Sequence, residues 1–91
     1  MAQSEDVRTG VRAYILNTFL VGEPPESLQD STRLLSTGIL SSIGMIEMVA
    51  FLEGEYDVTL RQEDLTPDRL DAVDLIVELI DELRAAKELS S

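Results

Sequence analysis

Cysteine, histidine and tryptophan are all missing from this chain of 91 residues, and basic residues are scarce. Without cysteine there is no disulfide framework and no thiolate zinc site. Without histidine the commonest general base and the commonest metal ligand go together. Two Phe and two Tyr are the whole aromatic content, so a mostly aliphatic interior is expected. Seven Lys and Arg stand against eighteen Asp and Glu, a formal charge of −11. That balance excludes nucleic acid, whose phosphates require clustered basic residues, and disfavours an anionic membrane surface. No apolar run approaches the roughly 20 residues needed to cross a bilayer. The opening Met-Ala-Gln-Ser-Glu-Asp has neither a basic n-region nor an apolar run, so a cleaved signal peptide is not expected and a cytoplasmic location is.

What is present fits one small globular domain spanning 1–91, with a core of about 4–87. Apolar residues make up 44 % and charged residues 27 %, an ordinary globular balance. The acid excess favours steered encounter with a basic partner, at a rate that falls with salt. Solubility alone is the plainer reading of the same charge.

The periodicity predicts a first helix from about Ser4 to Leu20. Val7, Val11, Ile15 and Phe19 recur every fourth residue, Ser4 is placed to cap, and Gly22 with Pro24 and Pro25 ends it. A long connection from Val21 to about Leu40 follows. Its Leu28, Leu34, Leu35, Ile39 and Leu40 are expected to fold back onto the core. A second helix from Ser42 to about Glu55 is expected, capped by Ser41, with Ile43, Ile46, Val49, Ala50, Phe51 and Leu52 as its apolar face. Tyr56 to Leu60 reads as an extended exit, Gln62 to Leu65 as a short helical turn. Thr66-Pro67 is a helix start with the hydroxyl as cap. The last helix is expected from about Asp71 to Leu83 or Lys87, with Val73, Ile76, Val77, Ile80 and Leu83 on one face. The fold class is therefore all-α, with three main helices, a short third one and a long first loop.

The stretch Leu34-Leu35-Ser36-Thr37-Gly38-Ile39-Leu40-Ser41-Ser42-Ile43-Gly44-Met45-Ile46-Glu47-Met48 resembles the phosphopantetheine attachment region of acyl and peptidyl carrier proteins. That family reads Leu, a few residues, Gly, one or two apolar residues, Asp-Ser-Leu, then an apolar-Glu-Leu step. Ser42 takes the place of the modified serine, Ile43 that of the following leucine, and Ile46, Glu47 and Met48 match the later step. Leu52 to Leu60 resembles the family's acidic segment and its extended exit. The resemblance spans roughly Val7 to Leu83 and implies a four-helix bundle. Ser41 stands where the family usually has Asp, keeping the cap and losing the charge. Gly44 and Gly54 stand where many members have acids. These departures point away from the housekeeping carrier of fatty acid synthesis and towards specialised lipid or secondary metabolism. Of the two adjacent serines the spacing selects Ser42, which lies five residues before Glu47, as in the family.

The resemblance implies 4′-phosphopantetheine, derived from coenzyme A, bound covalently to Ser42 and carrying an acyl or aminoacyl group as a thioester. It implies as partners a phosphopantetheinyl transferase and loading or transferring enzymes with basic docking patches. Ser41, Ile43, Met45, Glu47 and Glu53 are the candidate docking residues. A serine hydroxyl is a weak nucleophile without an adjacent base. No histidine exists and no Lys or Arg occurs between Leu34 and Leu60, so the chain is expected to be a non-enzymatic acceptor modified by a separate transferase; a monomer is expected. The rival is an acidic helical interaction module without cofactor, for which Ser41-Ser42 only starts a helix. A calcium sensor fails on pattern, since no acids alternate around a central Gly with a closing Glu.

Overall fold

The computed structural model describes residues 2–90, and side chains for residues 5–89. Four α-helices follow in order: α1 (Ala2–Thr18), α2 (Ser42–Tyr56), α3 (Pro67–Leu70) and α4 (Val73–Ser90). Short 3-10 turns at Pro25–Ser27 and Gln62–Asp64 interrupt the connections, and no strand occurs among the described residues. The protein is a small all-α domain.

α1 is already helical at Ala2, so Ser4 lies inside it and not ahead of it; the Ser4 side chain is outside those described. Val7, Val11 and Ile15 are fully buried, each contributing about 1.5–3 kcal/mol relative to exposure. They meet Met48, Leu52 and Tyr56 of α2, Leu70 of α3, and Val73, Ile76, Val77, Leu79 and Ile80 of α4 in one core. Leu28, Leu34 and Leu40 of the long connection join that core, and Leu35 and Ile39 pack against it. Inward-pointing leucines make this loop part of the interior, as its composition suggests. All four aromatic rings gather where α1 meets α2. Tyr14 stacks on Phe51 at 4.1 Å between centroids, and Phe19 and Tyr56 meet this pair edge-on.

Other local expectations are corrected as well. The buried face of α2 is Gly44, Met48, Leu52 and Tyr56; Ile43, Ile46 and Ala50, read as part of the apolar face, are exposed. At roughly 100° per residue, those three lie across the helix from Met48 and Leu52. The helix is apolar nearly all round, so spacing alone could not choose its inner side. Tyr56 ends α2 and does not begin the exit; Asp57 closes the helix in the left-handed region at φ 53°. α3 starts at Pro67 as expected, yet the Thr66 hydroxyl makes no capping bond, and α4 starts at Val73, leaving Asp71 outside it.

Two glycines mark close approaches. A Cβ at Gly10 would collide with the Tyr56 hydroxyl, which donates to the Val7 carbonyl at 3.4 Å. A Cβ at Gly44 would sit 2.9 Å from Phe19 Cε1 and 3.2 Å from Leu40 Cδ2, so glycine lets the Phe19 ring lie on the first turn of α2.

Candidate functional site

The site grows from the N-terminus of α2. Ser41 is the N-cap, extended at φ −84° and ψ 176°, and its Oγ accepts from the Gly44 N–H at 3.1 Å. The Ser41 carbonyl accepts the Met45 N–H at 2.9 Å. Ser42 is therefore the first helical residue; its side chain is exposed and its hydroxyl has no hydrogen-bond partner among the described residues. The two serines are thus divided by role: one hydroxyl is committed to the backbone, and the other faces solvent.

Two apolar residues near Ser42 on α2 stand exposed. Ile43 is 72 % exposed and Ile46 is 66 % exposed, one turn apart on α2. Met45 is half-buried against the core and Glu47 is exposed. The first turn of α2 carries no acid. Glu53 is half-buried, and its Oε2 accepts from the Leu60 N–H at 2.9 Å, so this candidate docking carboxylate braces the exit from α2. Glu55 is exposed. Asp57 pairs with Lys87, whose hydrogen bond holds the carboxyl below its ordinary range. Burial pushes the Tyr14 phenol above its usual value, with the Glu47 charge adding to it.

Chemically, this arrangement offers an accessible hydroxyl oxygen whose sequence neighbours, Ser41, Ile43 and Gly44, carry no basic side chain. It also offers the positive end of a fifteen-residue helix. A negative group there gains about 0.3–1 kcal/mol. A phosphodiester on the Ser42 oxygen would meet open solvent and the free N–H groups of that first turn, so the residues present fit such a group. Shallow clefts lie elsewhere, along the C-terminal half of α4, one lined by Val58, Thr59, Leu83 and Lys87; none of these borders Ser42.

The long-range ion pairs and hydrogen bonds that tie the long connection to the helices went unread in the sequence. Asp30 takes Arg8 at 2.6 Å and Arg12 at 2.9 Å, while Arg8 also reaches Asp74 at 2.7 Å, clamping the long connection to α1 and α4. Asp71 is 5 % exposed and binds Leu35 and Ser36. These partners lie far apart in the chain, and long-range pairing leaves no trace in spacing.

No protein-family model matches the chain, and no curated protein matches it. Among the described residues, no helix is long and apolar enough to cross a membrane.

Proposed function

We propose that this protein is a carrier of the acyl-carrier type, a four-helix bundle whose Ser42 bears 4′-phosphopantetheine. One observation carries the reading. Within the motif-like run from Gly38 to Met48, Ser42 falls on the exposed first residue of α2 with its hydroxyl uncommitted, while Ser41 is spent as the cap. In the proposed reaction the Ser42 Oγ forms a bond to the pantetheine-side phosphorus of coenzyme A. The phosphoanhydride breaks, 3′,5′-ADP leaves, and the serine proton passes to a base on the transferase, because the chain offers none beside it. When attached, the arm supplies a thiol that holds an acyl or aminoacyl group as a thioester. This chain's part is to present the oxygen, keep the neighbouring hydroxyl occupied and offer the helix N-terminus to the phosphate.

Exposed Ile43 and Ile46 beside the serine give partner enzymes an apolar surface to seat on, with Glu47 as the flanking charge. A cytoplasmic, monomeric carrier in specialised lipid or secondary metabolism is the setting this reading implies. The same apolar pair also suits the rival, an acidic interaction module without cofactor. Incubation with coenzyme A and a broad-specificity phosphopantetheinyl transferase, followed by intact mass, separates the two. The carrier reading expects one phosphopantetheine per chain and none on Ser42→Ala. No mass gain, or a gain that persists in that variant, would falsify it.

A further inference from the structure

The loop ahead of Ser42 is held by a relay of hydrogen bonds that starts at Asp71. Its main-chain carbonyl accepts the Leu34 N–H at 2.7 Å, and its Oδ1 accepts the Leu35 N–H, also at 2.7 Å. Its Oδ2 takes the Ser36 hydroxyl at 3.3 Å and the Arg33 guanidinium at 3.5 Å. The Leu34 carbonyl in turn accepts the Leu40 N–H at 2.9 Å, closing the loop, and Gly38 turns it at φ 82° with its N–H on the Leu35 carbonyl at 3.2 Å. Leu40 adjoins Ser41, the cap of α2. Leu34 and Leu40 are both core residues, so the relay runs through the interior. The main-chain link thus runs from Asp71, between α3 and α4, through Leu34 to Leu40, and the carboxylate fastens the Arg33–Ser36 segment that carries this link, up to the residue before the cap of α2.

We infer that Asp71 is a positioning residue, a buried carboxylate that fixes the entry to α2 and thereby the place at which Ser42 is presented. The physical reason is specific to an anion. A carboxylate accepts from several donors at once, and charge-assisted bonds of this kind are about twice as strong as neutral ones. An amide in its place keeps the shape and the acceptor for the Leu35 N–H but loses the charge, and turns a donor towards the Arg33 guanidinium. The loop would then open locally while the helices, which have their own core contacts, stay folded. For Ser42 chemistry the inference rests on the carrier reading; as a statement about loop order it does not.

The test is Asp71→Asn, read by amide exchange and by transfer kinetics. Exchange at Leu35 and Leu40 is expected to quicken about ten-fold, the scale set by replacing a charge-assisted hydrogen bond with a neutral one. Exchange at Leu79 and Ile80, in the core of α4, is expected to stay within about two-fold. Transfer of phosphopantetheine to Ser42 from coenzyme A is expected to slow several-fold, chiefly through a higher KM for the carrier with kcat held, since a misplaced serine docks poorly but reacts normally once seated. A merely structural role would lower kcat/KM only in proportion to the unfolded fraction and would quicken exchange everywhere. Unchanged exchange at Leu40, or unchanged KM with a loosened loop, overturns the inference. Ser36→Ala removes one exposed partner of the same carboxylate; it should show the same pattern at reduced size and decides the matter if Asp71→Asn does not fold. If the wild-type chain takes up no phosphopantetheine, the carrier reading fails by itself, and exchange at Leu40 still judges the relay.

Discussion

Replacing Leu52 and Ile46 separately by Ala tests which side of α2 faces the core. Both are aliphatic residues of one helix, six positions apart, and nothing in their local sequence separates them. Leu52 is fully buried, whereas Ile46 is 66 % exposed. Leu52→Ala removes buried methyl groups and leaves a void, a cost of about 2–5 kcal/mol. Ile46→Ala gives up only the buried third of a side chain, below about 1 kcal/mol. The better helix propensity of Ala offsets roughly half of that, leaving a net below about 0.5 kcal/mol. A domain of this length has a total stability of about 5–14 kcal/mol, so the Leu52 loss is a large share of it. The assay is urea unfolding followed by circular dichroism. With a slope of about 1–3 kcal/mol per molar, the Leu52 variant should unfold about 1 M earlier or more, and the Ile46 variant within a few tenths of the wild type. Comparable midpoints for the two variants would refute the orientation of α2, and with it the exposed apolar pair beside Ser42.

Ser41→Ala should cost about 0.5–2 kcal/mol of stability through loss of the cap, measured by the same unfolding curve, while Ser42 stays open to modification; loss of the mass gain in this variant would shift the attachment point to Ser41. Acid should destabilise the protein through two buried aspartates. The Arg61 side chain's hydrogen bond holds Asp64 below the usual carboxylate range, and although burial alone would push Asp71 up, hydrogen bonds from Leu35 and Ser36 outweigh it and hold it low. Folded values below unfolded ones mean that both contributions are whole above about pH 4 and are lost as pH falls through the folded values. A thermal-melt series against pH should therefore steepen below about pH 4, and Asp64→Asn should flatten it; an unchanged profile in that variant would remove Asp64 from the account.

Much of this architecture could be read without coordinates. The every-fourth-residue stripe of Val7, Val11 and Ile15 forecast the inner face of α1, and Val73, Ile76, Val77 and Ile80 did so for α4, because a polar opposite side marks each stripe. Ser41 as cap and Pro67 as the first residue of α3 followed from backbone chemistry confined to a few neighbours. Ser42 was marked by its setting between Gly38 and Glu47. The inner side of α2 was not legible, since Ile43, Ile46 and Ala50 are no less apolar than the residues opposite them, and only the positions of α1 and α4 decide which are covered. The role of Asp71 was hidden for a related reason: its partners lie 35 and 36 residues earlier in the chain, and a carboxylate next to a helix start looks the same whether solvent or a buried loop meets it. Short-range periodicity and capping are properties of the chain, whereas the choice of buried side and the pairing of distant groups depend on where the fold brings other segments to rest.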